Sequence, residues 1–256
     1  NPTIVIFDMD GTTVHHLNPK LLGLMEWLDD SAYKMASFWN WLFRRNRKGP
    51  IVSDAYLREK IPSRTSKSLI VHRAIHKFRR KPVEQLVEPC PGIYSVLSIL
   101  KRNAVPLALV SNGLGKGYGH DILQKFKLEQ YFEQQIFRED VSKSKPHPDG
   151  ILRVLNLMDN TPEPGDVVWH IGDRHKDIKA AIAADKISDC KIIPYAYGLD
   201  AAIEILKNNI GSDHIIMNYA DFYTKLRDEF ASLESGGAGQ HADARKAGEH
   251  KSEKEA

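Results

Sequence analysis

Cysteine is scarce in this chain. Cys90 and Cys190 are its only two among 256 residues, too few for a disulfide framework or a zinc cluster, and they fit a reducing compartment. No apolar run approaches the roughly 20 residues that a membrane-spanning helix needs. The N-terminal stretch has no charged run followed by an apolar one, so no signal peptide and a cytoplasmic location are expected. The chain begins at Asn1 rather than Met, so a short preceding stretch is expected. A net charge of only +3 argues against nucleic acid as a partner. Gly113, Gly115, Gly117 and Gly119 alternate around Lys116, but no Gly-Lys-Ser/Thr ending follows. That excludes a nucleotide-binding loop and leaves a flexible lead into the next helix. The 11 histidines show no metal-ligand spacing.

What is present is ordinary for a soluble globular protein: 42% hydrophobic and 27% charged residues. The chain is long enough for one large domain or two modest ones. Short β-branched runs read as buried strands at Thr3–Phe7, Pro106–Ser111, Asp166–Ile171, Cys190–Tyr195 and, more weakly, His214–Met217. Helical patterns separate them. One opens at Pro91-Gly92, and others cover His120–Leu128, Pro148–Met158, Asp177–Asp185, Leu199–Asn209 and Tyr219–Leu233. This alternation implies an α/β, Rossmann-like parallel sheet with helices on both faces.

Residues 13–90 break the alternation, with helical patterns and no convincing strand. Asn18-Pro19 is a cap followed by a first-turn proline, and Met35, Phe38, Trp39 and Leu42 fall at helical spacing. The expected organisation is a catalytic core of residues 1–13 and 91–234 with an inserted all-α cap at 14–90. A disordered tail is expected at 235–256, which lacks aromatic and branched aliphatic residues.

The strongest chemical signal is Asp8-Met9-Asp10-Gly11-Thr12, directly after the first strand. Two carboxylates two residues apart at a strand's carboxyl end can face the crevice where open α/β sheets bind ligands. Alone, this is also the pattern of an ordinary Asp-Gly turn. Three further pieces follow in order: Ser111-Asn112-Gly113 after a strand, Lys145 in Ser144-Lys145-Pro146, and Gly172-Asp173-Arg174-His175-Lys176-Asp177 after another strand. With these four motifs, residues 3 to 200 resemble the haloacid dehalogenase superfamily. Within it, the chain resembles the phosphoglycolate-phosphatase-like members, which carry a helical cap.

The resemblance implies a magnesium-dependent phosphatase for a small phosphorylated metabolite, phosphoglycolate-like or a sugar phosphate. Asp8 is then the nucleophile that forms an aspartyl phosphate, and Asp10 the general acid and base. Asp8, the backbone carbonyl of Asp10, and Asp173 are the implied Mg²⁺ ligands. Ser111, the amide of Asn112, and Lys145 are the implied phosphate contacts. Asp177 either supports the metal from behind or orients Lys145; as a helix-start carboxylate it also has a plain structural reading.

Asp10 argues against a dehalogenase, whose halide needs no proton, but fits a sugar phosphomutase of the same superfamily equally well. A non-catalytic binding or regulatory module is disfavoured by the intact Asp8, Asp10, Lys145 and Asp173. The chain departs from the family at Arg174, where serine is common, and at Asp185-Lys186, where glycine is common. Thr13 to Cys90 carries 15 Lys and Arg against 7 Asp and Glu, while the rest of the chain is net acidic. A basic cap over an acidic core could focus an anionic substrate; an ordinary solvated helix surface has the same composition. Phe38–Arg45, with Trp41 off the apolar stripe, is expected to be cap core, with contact to a membrane surface as the weaker alternative. His15 and His16 are expected near the cleft, and Cys90 is expected to be incidental.

Overall fold

The computed structural model describes residues 1–17 and 86–232. Most of the expected cap (14–90), the Phe38–Arg45 stretch and the expected tail (235–256) lie outside the described residues. Among the described residues, no helix is long and apolar enough to cross a membrane.

Strand β1 (Ile4–Phe7) is buried along its whole length, as its unbroken β-branched run requires of a strand covered on both faces. A short ribbon follows, made of β2 (Val14–His16) and β3 (Val87–Pro89), paired antiparallel with Val14 opposite Pro89 and His16 opposite Val87. The core continues with helix α1 (Ile93–Arg102), β4 (Leu107–Val110), α2 (His120–Lys125), β5 (Gln134–Ile136) and α3 (Asp149–Leu157). It ends with β6 (Val167–Gly172), α4 (His175–Asp185), β7 (Lys191–Tyr197), α5 (Leu199–Lys207), β8 (Ile215–Ile216) and a last helix, α6, over 219–232.

The sheet order is β5-β4-β1-β6-β7-β8 and every pairing is parallel. Alternate residues of β1 serve opposite layers. Val5 and Phe7 join Ile93, Val96, Leu97 and α6 residues such as Phe222 on one face. Ile4 and Ile6 join Ile151, Val154, Ala180 and Ala181 on the other. Fully burying one such large side chain contributes about 1.5–3 kcal/mol, so the two layers fix β1 at the centre of the sheet. From β1 the chain runs to β4 and β5 on one side, then crosses to β6 on the other. The reversal opens a crevice at the carboxyl end of β1.

The sequence reading missed three strands. Strand β5, Gln134-Gln135-Ile136, is short and mostly polar, and its pairing to β4 alone makes it visible. The ribbon lies at the two ends of the segment expected to be wholly helical. Its strands have three residues each, and they are strands only because distant residues pair; Leu17 N–H donates to the Leu86 carbonyl at 2.9 Å. The chain therefore leaves the core and re-enters it side by side.

The alternating glycines also need correction. A Cβ on Gly115 or Gly119 would lie 2.7 or 2.2 Å from the fully buried Phe137 ring, whereas one on Gly117 would meet open space. Gly115 and Gly119 are close-packing positions rather than a flexible lead. Gly117 alone sits in the left-handed region, with φ +78°. We therefore expect Gly119→Ala to destabilise the protein by about 1–3 kcal/mol through overpacking. A merely flexible glycine would instead gain stability, by about 0.4–1 kcal/mol; the sign of the shift in urea unfolding decides between them.

Candidate active site

Asp8 follows β1, Ser111 follows β4 and Asp173 follows β6, and β4 and β6 are the two neighbours of β1. Parallel pairing therefore brings three loops, 62 to 165 residues apart in sequence, to one edge of the sheet. Lys145 arrives from the loop before α3. Its Nζ lies 2.5 Å from Asp8 Oδ1 and 2.6 Å from Asp177 Oδ1, and donates to the Val110 carbonyl at 2.8 Å. All three charged side chains are almost fully buried.

The Lys145 backbone is clamped as well. Asn112 Nδ2 donates to its carbonyl at 3.1 Å, and its N–H donates to Asn112 Oδ1 at 3.0 Å. The Asn112 side chain is thus engaged in holding the lysine, which leaves its backbone N–H for an anion. Ser111 is buried, and its Oγ accepts from Gly113 N–H at 2.9 Å, leaving its own hydrogen free to point elsewhere.

Asp177 acts in two directions. Oδ1 faces Lys145, while Oδ2 accepts the Arg174 N–H at 3.1 Å at the start of α4. A Cβ on Gly172 would lie 2.3 Å from that of Asp177, so the carboxylate is pressed against the end of β6. Gly11 makes a similar approach. Its φ is +91°, and a Cβ there would fall 2.0 Å from Asp173 Oδ2. The turn after Asp8 therefore needs glycine both for its backbone angle and for room.

The two carboxylates of the first motif lie in opposite environments. Burial raises the Asp8 carboxyl well above its usual range; Lys145 works against this, and Asp177 and Asp173 add to it. Asp10 also suffers from burial, but the hydrogen bonds and charge of its surroundings prevail and hold it below its usual range. His16 Nε2 lies 3.1 Å and Tyr118 OH 2.7 Å from Asp10 Oδ1. Asp173 is raised to about 7, first by burial and then by Asp177, with Arg174 opposing. Arg174 Nε stands 3.8 Å from Asp173 Oδ2. Lys145 keeps its proton, since Asp177 and Asp8 more than offset its burial. Asp177 is held low, Lys145 outweighing the cost of burial. Beneath them, the fully buried His170 of β6 is kept neutral by burial and by the Lys145 charge, its pKa lowered to about 3.

The donor set suits a hard divalent cation. One carboxylate oxygen from each of Asp8, Asp173 and Asp177 lies within 4.8 Å of the others. Asp173 Oδ1 is buried with no hydrogen-bond partner among the described residues, and magnesium takes oxygen ligands of this kind. Asp10 Oδ1 faces His16 and Tyr118, and the Asp10 carboxylate is not part of this oxygen cluster.

The structure thus gathers Asp8, Ser111, Lys145, Asp173 and Asp177 and sets the Asp10 side chain on the rim. Sequence reasoning overlooked Thr13, whose Oγ1 donates to the Asp8 carbonyl at 2.7 Å, and Tyr118. The aromatic residue inside the glycine run was the available signal for Tyr118. His16 reaches the site, whereas His15 pairs with Glu88 across the ribbon at 2.9 Å. His147 accepts from Asp149 N–H, and His175 faces Asp200. Burial and the negative charges of Asp173, Asp8 and Glu88 push the Cys90 thiol up to about 12, which leaves it unreactive as a nucleophile.

Comparison with known proteins shows the family. Residues 5–187 match the family model described as haloacid dehalogenase-like hydrolase. The chain is 28% identical over 214 residues to phosphoglycolate phosphatase 1 of Pseudomonas aeruginosa, covering 77% of this chain and 71% of that protein. It is 27% identical over 177 residues to pyrophosphatase PpaX of Bacillus cereus, covering 68% and 76%. The fold matches a HAD-superfamily hydrolase from Ehrlichia chaffeensis with a TM-score of 0.52 and 21% identity, covering 89% of this chain and 97% of that one. With its family pattern spanning most of the described chain, this protein belongs to the haloacid dehalogenase-like hydrolases.

Proposed function

We propose that the protein is a magnesium-dependent phosphatase that hydrolyses a small phosphate monoester through an aspartyl phosphate on Asp8. The observation that carries this reading is the buried Lys145 ammonium, 2.5 Å from Asp8 and 2.6 Å from Asp177. A phosphate dianion repels an anionic nucleophile, and a fixed, desolvated cation beside the attacking carboxylate offsets that repulsion in the transition state. The names of the curated relatives, a phosphoglycolate phosphatase and a pyrophosphatase, point the same way. They support a small phosphorylated metabolite as the substrate.

In this mechanism Ser111 Oγ, the Asn112 N–H and Lys145 hold the phosphate oxygens. An Asp8 carboxylate oxygen attacks phosphorus as the ester P–O bond breaks, and Asp10 gives its proton to the departing alkoxide. The Asp10 carboxylate then takes a proton from water. The resulting hydroxide attacks the acyl phosphate, releasing orthophosphate and restoring Asp8. In the free site Asp10 is ionised, and the negative charge of bound phosphate raises its affinity for the proton it must donate. Asp8, Asp173 and the Asp10 carbonyl would hold Mg²⁺, with Asp177 behind them. Bound there, the cation neutralises charge between carboxylate and phosphate.

Three outcomes follow. Asp8→Asn removes the nucleophile, and phosphate release from a panel of phosphorylated metabolites should fall to background; full activity in this variant, or undiminished wild-type turnover in excess chelator, contradicts the mechanism. Lys145→Met leaves Asp8 and Asp177 buried without their cation. Urea unfolding in chelator should register a loss of about 3–5 kcal/mol, and turnover should vanish. Thirdly, Asp8 and Asp173 both titrate above their usual range, Asp173 near 7, so Mg²⁺ must displace protons that a free carboxyl has already lost by pH 6. Titration calorimetry should show Mg²⁺ binding weaken by roughly tenfold or more between pH 8 and pH 6, whereas ordinary carboxylate ligands would give a nearly constant affinity.

A further inference from the structure

Asp10, His16 and Tyr118 form a closed triangle at the mouth of the crevice. His16 comes from β2 of the ribbon, and Tyr118 from the glycine-bounded loop after β4. Tyr118 OH lies 2.7 Å from Asp10 Oδ1 and 2.7 Å from His16 Nε2, and His16 Nε2 lies 3.1 Å from the same Oδ1. Hydrogen accounting resolves the triangle. The carboxylate only accepts, so the hydroxyl gives Oδ1 its one hydrogen and His16 must carry a hydrogen on Nε2, shared between Oδ1 and the tyrosine oxygen. Both neighbours therefore act as donors, and both converge on Oδ1. The other oxygen, Oδ2, lies on the Gly113 side: a Cβ on Gly113 would be 3.2 Å from Oδ2 and 3.2 Å from Ser111 Oγ.

The support is rigid. The two rings are nearly parallel, 16° apart. Tyr118 is buried, and the Gly115 and Gly119 backbones that bracket it are pressed on Phe137.

We propose that His16 and Tyr118 are positioning residues for Asp10: by occupying Oδ1 they assign proton transfer to Oδ2, the oxygen on the side of Ser111. This rests on Asp10 being the general acid of the phosphatase reading above. The proton delivered through Oδ2 goes to the leaving-group oxygen as the P–O bond breaks. A leaving group that departs as a stable anion does not need it.

The test compares two esters on each protein preparation with Mg²⁺ present. 4-Nitrophenyl phosphate releases a phenolate that leaves unaided, whereas phenyl phosphate releases a more basic one. For Tyr118→Phe and His16→Leu, kcat/KM for phenyl phosphate should fall about tenfold more than for 4-nitrophenyl phosphate, part of the 10²–10⁴ available from a placed acid. His16→Gln, which keeps a donor, should recover most of the difference. Because each ratio is taken on one preparation, a partly unfolded variant does not disturb it. Equal losses on both esters, or no recovery with glutamine, overturn the proposal. Asp10→Asn serves as the reference. If it shows no selective loss, or if the wild-type protein cleaves neither ester, it is the acid role or the phosphatase reading that fails, and the proposal falls with it.

Discussion

The Lys145 ammonium is the pivot of this site. Without it, Asp8 and Asp177 would face one another as buried carboxylates, and burying an unpaired charge costs several kcal/mol. With it, one cation joins the ends of three elements: Asp8 after β1, Asp177 on α4 and the Val110 carbonyl of β4. Asn112 then fixes the lysine backbone from the β4 loop on both its donor and acceptor sides. Asp173 depends on the same cluster, since Asp177 helps to raise it and Arg174 opposes. The arrangement is an excess of negative charge, held together by one ammonium and suited to a second cation.

Around that pivot, the two carboxylates of the first motif are driven apart in character. Asp8 looks inward, toward burial and like charges, and is raised; Asp10 looks outward, toward His16 and Tyr118, and is lowered. Residues two apart in an extended strand would share one face and one environment. Here the turn at Gly11, with its positive φ and its N–H donated to the Val14 carbonyl, lets the chain separate them. Pairs of titratable groups pushed in opposite directions are what acid–base chemistry near neutrality requires.

Much of the fold was legible because its strong signals are local. The buried strands are unbroken apolar runs, and helices α1, α3 and α5 carry apolar residues at helical spacing, so each appears in sequence near its observed limits. The elements that escaped, β2, β3 and β5, have three residues each, too few for a periodicity to show. They exist because of pairing partners, more than 70 residues away for the ribbon. The glycine run misled for a related reason. Four glycines in seven residues suggest freedom, yet the nearness of Phe137, from beyond β5, makes two of them packing requirements.

The sequence by itself determined the α/β alternation, the loops that carry Asp8, Ser111, Lys145 and Asp173, and the family, because each depends on residue type and spacing along the chain. Tertiary structure alone decided which carboxylate is raised and which lowered. It also turned the Asn112 side chain to Lys145, and Tyr118 and His16 to Asp10. The physical reason is that pKa shifts and hydrogen-bond partners act over a few ångströms of space. Residues 102 and 108 positions apart, such as Tyr118 with His16 and Asp10, share those ångströms only after the sheet has formed.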